Sequence, residues 1–333
     1  MRRVKVIENV VVVGDENVVR DLFYPKIIGK NSMPTLRAVI EPGGTKSGLT
    51  GGQRFCAFEE MGISASHFDK GLFTSAASCN GIAYAAKQSH MILEYYQKIS
   101  LLNPHILWSA ITRRDYLGLL YLMDELRSTL DVETFRKCPT DITIAVADLR
   151  ANVHLHKAKE VEDIFDLMMA SSALLPDIYG REINGIYSVD GGYTIDSTVI
   201  AWLRKILSEI PKEQRTKQRI DLLYIANRPH PRVHFSKLEE YIFHKLIDWT
   251  TAKKYPELAR GARSIDGKLR KVADLFDKPR PHFPFLRMCA LFPMPDENIY
   301  PIEMRKKILR TCGELTRMRT EKFLCALMPK HEI

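Results

Sequence analysis

The feature that most constrains the fold is a series of short apolar runs, rich in β-branched residues, with helical patterns between them. "LRAVIE" (Leu36–Glu41), "KGLFT" (Lys70–Thr74) and "ITIAVAD" (Ile142–Asp148) read as strands. So do "ANVHLH" (Ala151–His156), "IDLLYIAN" (Ile220–Asn227) and "RMCALFP" (Arg287–Pro293). "QRFCAFEEMG" sets Phe55, Phe58 and Met61 on one side of a helix, and "CNGIAYAAKQSHMILEYYQ" reads as a single long amphipathic helix. "KEVEDIFDLMMASSAL" carries Ile164, Phe165, Leu167, Met168 and Met169 at helical spacing. Strands alternating with helices predict an α/β fold with a mostly parallel sheet and helices on both faces. Such a sheet places its site at the carboxyl ends of the strands.

Composition narrows the function classes. The six cysteines are scattered with no CxxC pair, which argues for free thiols rather than a disulfide framework or zinc ribbon. The ten histidines form no HExxH, and His154 and His156 alternate on a predicted strand, so no metal site is expected. The start, "MRRVKVIENVVVVGDENVV", is interrupted by Asp15 and Glu16 and reads as a strand, not a signal peptide. No apolar run is long enough to cross a bilayer, so the expected location is cytoplasmic or peripheral at a membrane surface. Net charge is +9, with much of the excess between Lys253 and Lys271 and between Arg305 and Lys322. That suits an anionic membrane surface or a solvated helical face. No nucleic-acid signature accompanies it, and nucleic acid is not an expected partner.

Three features fall at predicted strand ends. "EPGGTKSGLTGG" (Glu41–Gly52) joins a strand to a helix. Its consecutive glycines let backbone N–H groups converge beside a helix N-terminus, which makes an anion or oxyanion site. It is not a P-loop, because Thr45 and Ile40 stand where that motif needs glycine. In "GLFTSAASCNG" (Gly71–Gly81), Ser75 lies on a strand-to-helix turn, where it is either an N-cap or a nucleophile on an elbow. In "YSVDGGYTIDS" (Tyr187–Ser197), Asp190 precedes a tight Gly191-Gly192 turn, and it matters if it reaches Ser75 to take its proton.

Taken together, a glycine-rich loop, a serine some thirty residues on and a late D-G-G resemble the patatin-like phospholipase family, in its bacterial branch. "ASSALLPDIYGREINGIYSVDGG", "FDKGLFTSAASCNGIAYAAKQ", "NPHILWSAITRRDYLGLLYLMDEL" and "ADLRANVHLH" also resemble family segments. The resemblance runs from about Leu36 to Ala201 and more loosely beyond. It implies a three-layer α/β/α fold and a Ser–Asp dyad with no histidine, in which Ser75 attacks an ester carbonyl and Asp190 is the base. The N–H groups of Gly43, Gly44 and Thr45 would hold the oxyanion, with Lys46 in the place of the family's loop Arg/Lys. No cofactor is implied. The expected substrate is a phospholipid or another acyl ester.

The sequence also departs from the family pattern. Pro42 and Ser47 replace loop glycines, Phe73 and Ala77 replace the elbow glycines, and no proline follows D-G-G. The alternative reading is therefore a catalytically impaired patatin-fold protein that binds lipid or a protein partner. Residues 1–35 read as an N-terminal extension, 36–333 as one α/β domain, and 229–284 as a helical insertion or cap.

Overall fold

The inner predicted runs are realised as strands buried on both faces, whereas the run at Val153–Lys157 is half-buried along its length. The structure is a computed structural model. It describes residues 4–23, 34–98, 118–173, 180–215, 217–230, 255–263, 265–277, 285–299 and 305–328. Ten strands form one sheet: β1 (Val4–Ile7), β2 (Val10–Gly14), β3 (Thr35–Glu41), β4 (Lys70–Thr74), β5 (Asp141–Asp148), β6 (Val153–Lys157), β7 (Arg181–Ile183), β8 (Ile186–Asp190), β9 (Arg219–Ile225) and β10 (Leu286–Phe292). Their order is β1-β2-β10-β9-β3-β4-β5-β8-β7, with β6 beside β5.

The five central strands, β10 to β5, are parallel. Every other pairing is antiparallel. The sheet is therefore mixed, which corrects the expectation of a mostly parallel one. The reason is turn length. Glu8-Asn9 and Asn184-Gly185 form two-residue turns with φ of 48° and 61°, and of 51° and 78°. Positive φ at both centres is the hairpin geometry that joins antiparallel neighbours, whereas a parallel crossover needs a dozen residues or more. Through the first hairpin, residues 4–14 join the sheet at β10.

Eleven helices are described: α1 (Asn17–Arg20), α2 (Gly48–Glu60), α3 (Ala76–Ala85), α4 (Ile92–Lys98), α5 (Leu119–Thr129), α6 (Val132–Lys137), α7 (Ile164–Ser172), α8 (Ile195–Glu209), α9 (Pro256–Arg263), α10 (Ile265–Asp277) and α11 (Lys306–Leu327). Successive strand residues point to opposite faces, and the core divides accordingly. Val12, Val39, Phe73, Ile144 and Leu223 pack with Leu49, Phe55, Leu167 and Phe323 of α2, α7 and α11. Val13, Ile40, Leu72, Ala145 and Leu222 pack with Val199, Trp202, Val272 and Phe276 of α8 and α10.

The single long helix expected over "CNGIAYAAKQSHMILEYYQ" is two helices. Lys87 adopts φ 59°, the Gln88 N–H reaches Ala83 O and the Lys87 N–H reaches Tyr84 O, which satisfies the last carbonyls and ends α3. Much of the Pro229–Pro284 region, and parts of the "NPHILWSA…" and "ASSALLPDIYG…" segments, lie outside the described residues. All six cysteines are free thiols. Among the described residues no helix is long and apolar enough to cross a membrane. Part of the late basic charge is paired internally, as in Arg310–Glu314, Arg317–Glu60 and Arg319–Asp296.

α2, which leads away from the glycine-rich loop, is locked to α11 by buried charge. Arg54 is fully buried and lies 3.8 Å from Glu297, itself fully buried, while its Nη1 donates to Thr320 Oγ1 at 3.2 Å. Glu297 also accepts from Arg319 at 2.7 Å and Thr316 at 3.1 Å. Removing one partner of a buried pair leaves the other charge uncompensated. Glu297→Ala is accordingly expected to lower the unfolding free energy by roughly 3–5 kcal/mol, read from the urea midpoint; a loss under about 1 kcal/mol would mean Arg54 is solvated.

Candidate active site

The turn between β4 and α3 consists of Ser75 alone. Its backbone has φ 59° and ψ −138°, a region that costs a non-glycine residue roughly 1–3 kcal/mol. Both of its peptide groups are tied down. Its N–H donates to Ser171 Oγ at 2.9 Å, and Ser171 Oγ in turn donates to Ala145 O at 2.8 Å. Its carbonyl accepts from Ser78 Oγ at 2.6 Å and from the Ser78 N–H at 2.8 Å. Ser75 occupies the N-cap position of α3, yet its side chain makes no capping bond. The hydroxyl instead donates to Asp190 Oδ2 at 2.7 Å.

Asp190 reaches that position through strand register. β6 lies along one edge of β5, over Thr143–Ala147. β4 and β8 must therefore share the other edge: Thr74 pairs with Ala145, and Asp190 with Val146, the next residue. One strand runs parallel to β5 and the other antiparallel, so their carboxyl ends meet. Asp190 is buried, and its Oδ1 accepts from the Gly192 N–H at 2.7 Å. Burial pushes its carboxyl up to about 7, against the opposing pull of the Gly192 and Ser75 hydrogen bonds. A carboxylate with that affinity can take a proton near neutral pH.

The glycine-rich loop follows β3 and passes directly beside Ser75. Gly43 has φ 76°, and a Cβ there would lie 2.2 Å from Thr74 O and 2.7 Å from Ser75 Cβ, so only glycine fits. Gly44 has φ 151°. Among the described residues neither the Gly43 nor the Gly44 N–H meets an acceptor. Ser47 closes the turn by donating its hydroxyl to Gly44 O at 2.5 Å. Thr45 and Lys46 follow on the 3₁₀ turn Thr45–Ser47 that leads into α2. Lys46 is buried, and burial pushes its ammonium down to about 7.

Phe73 does not reach into the space around Ser75. Its ring lies in the core, edge-on to Phe55 with centroids 5.9 Å apart. It fills the room left by two glycines: a Cβ at Gly81 would meet the ring at 2.5 Å and one at Gly71 at 2.6 Å. The close strand–helix approach that the elbow glycines usually provide is obtained here from Gly81, six residues after Ser75. Ala77 is buried in the same core.

Sequence reading missed Ser171, Ser78 and Asn227. Ser171 lies in the small-residue run "ASSA", where nothing local marks its hydroxyl. Asn227, two residues beyond the end of β9, donates its Nδ2 to Gly43 O at 2.8 Å. His154 Nε2 lies 3.2 Å from Asp148 Oδ2 near the β5–β6 connection. Among the described residues no cluster of His, Cys, Asp or Glu could hold a metal ion.

The Phe73–Gly81 fit gives a direct measurement. Gly81→Ala is expected to cost roughly 1–3 kcal/mol by overpacking against the ring. In a Phe73→Ala background the same change should cost little, and equal losses in both backgrounds would refute the contact.

No family model matches the chain, and no curated protein matches it. The chain is similar to the crystal structure of VipD from Legionella pneumophila at a TM-score of 0.33 and 9% sequence identity, over 96% of this chain and 78% of that one. A likeness at that level carries no chemical inference.

Proposed function

We propose that the chain is a serine acyl hydrolase of the patatin-like phospholipase kind, with a three-layer α/β/α architecture and a Ser–Asp dyad. The observation that carries this reading is the 2.7 Å hydrogen bond from Ser75 Oγ to the buried Asp190, made from a strained turn beside Gly43. In the reaction, Asp190 Oδ2 takes the Ser75 proton as Oγ bonds to the ester carbonyl carbon. The oxyanion is held by the N–H groups of Gly43, Gly44 and Thr45, with Lys46 adding positive potential. The proton passes to the departing alcohol, and water then releases the acyl group. A preplaced donor is worth about 3 kcal/mol in such a transition state.

The substrate is a phospholipid or another acyl ester, reached by peripheral contact with an anionic membrane surface. Residues 36–333 carry the site, and the hairpin of residues 4–14 completes its sheet. Of the helices within 256–277, which pack beside the Gly191–Thr194 turn, α10 also belongs to the core layer under the sheet. The chemistry needs no cofactor. The inward turn of the Phe73 ring favours this reading over an impaired lipid- or protein-binding patatin fold, since the residue that most suggested impairment is absorbed by the core.

A fluorophosphonate probe should label the wild type and not Ser75→Ala. Asp190→Asn is expected to slow labelling by roughly 10²–10⁴-fold, the range of a lost general base. In the wild type the labelling rate should climb as the pH passes about 7, because Asp190 must lose its proton to act. Labelling that survives Ser75→Ala would sink the assignment, whereas an acid limb near pH 4 would overturn only the raised Asp190 carboxyl.

A further inference from the structure

Glu41, the last residue of β3, immediately precedes the glycine-rich loop and is fully buried. Its Oε1 accepts from Asn80 Nδ2 at 2.8 Å and from Asn227 Nδ2 at 3.0 Å. Each amide also holds the backbone that follows Glu41. Asn227 donates to Gly43 O at 2.8 Å and accepts from the Gly51 N–H at 2.8 Å. Asn80 donates to Gly48 O at 2.8 Å. The carboxyl therefore joins the ends of β3 and β9, helix α3 behind Ser75 and the first turn of α2. Space at this junction is tight: a Cβ at Gly51 would lie 2.2 Å from Glu41 Oε1.

The electrostatics set the protonation state. Among the described residues no cation is paired with Glu41. The titratable groups that sense its charge are Cys79 on α3, Tyr96 on α4 and Tyr224 on β9, each of which that charge pushes further from ionisation. Glu41 Oε2 has no hydrogen-bond partner among the described residues. A carboxylate here would be a buried charge held by two neutral amides alone, which is costly. Burial pushes the Glu41 carboxyl up to about 8, with the Asn227 and Asn80 hydrogen bonds pulling the other way.

We propose that Glu41 is a positioning residue kept as a neutral acid, which through the Asn227 amide fixes the Gly43–Gly44 turn against Ser75 and through the Asn80 amide anchors the start of α2 that follows it. The proposal rests on the hydrolase reading for the purpose of that turn, and on Glu41's own contacts for the protonation state.

The test has two arms. With selectively ¹⁵N-labelled asparagine, the side-chain amides of Asn80 and Asn227 should shift as the pH rises through about 8, and Glu41→Gln should abolish that shift. Linkage gives the same sign. The native state keeps a proton that the unfolded chain releases near pH 4.5, so wild-type thermal stability should fall from there to about pH 8 more steeply than that of Glu41→Gln. In the second arm, Asn227→Ala and Glu41→Leu should each lower the maximal fluorophosphonate labelling rate at least about tenfold with little change in probe affinity, and Glu41→Gln should rescue most of the Glu41→Leu loss. Asn227→Ala keeps this arm decisive if Glu41→Leu does not fold.

Amide signals that titrate near pH 4.5 would overturn the neutral acid, and wild-type labelling by Asn227→Ala would overturn the relay. Absence of labelling in the wild type would instead remove the hydrolase reading, and with it the catalytic purpose of the clamp, while the amide titration still decides the state of Glu41.

Discussion

The register of two strands on one edge of β5 is the constraint on which the rest of the site depends. β4 supplies the pairing up to Ala145 and β8 takes over at Val146 from the opposite direction. Two strand ends are thereby brought face to face inside a sheet, where neither can slide without breaking ladder hydrogen bonds and moving buried side chains to the other face. The separation of Ser75 and Asp190 is set by this backbone pairing. A mixed sheet is needed for it, because a wholly parallel one would carry both carboxyl ends in the same direction past β5.

The polar groups around that junction form a support for strain. Ser75 sits in a conformation that its own side chain disfavours, and the surrounding hydroxyls of Ser171 and Ser78 hold its two peptide groups in place. In a dry interior such bonds are stronger than in water, and leaving a member unpaired is costly. The same low dielectric lifts the Asp190 carboxyl to about 7 and lowers the Lys46 ammonium to about 7. One physical cause, burial, thus brings a carboxyl and an ammonium of the same region to about the same pH.

Much of the fold was legible in the sequence because inner strands are apolar on both faces and end at turn residues. "KGLFT" is β4 to the residue, and the Leu36, Ile142, Ile220 and Arg287 runs each begin within one residue of their strands. Local rules failed where the deciding contact is distant. Of the two edge hairpins, the one at Asn184-Gly185 carries the usual hairpin dipeptide, whereas the other opens on Glu8 at φ 48°, a residue that gives no local sign of positive φ. The break after α3 rests on a left-handed Lys87, where glycine or asparagine would have given a signal. Ser75 and Asp190 stood out because they lie at strand ends, whereas Ser171 acts on Ser75 across 96 residues and Asn227 on Gly43 across 184. Phe73 stands two residues before Ser75, while the glycine that makes room for its ring is Gly81, six residues after it.

The buried Arg54–Glu297 pair has a consequence for the order in which the molecule can be built. Synthesis proceeds from the N-terminus, and domains form as the chain emerges. Arg54 leaves the ribosome some 240 residues before Glu297 and still longer before Thr316 and Arg319, which complete the cluster. Until then α2 would have to bury a guanidinium with no counter-charge, a state that water opposes strongly. α2 therefore lacks that counter-charge until Glu297 has been made. The Arg54 guanidinium in the middle of α2 gains its full set of neighbours only once Thr316, Arg319 and Thr320 of α11 have followed Glu297.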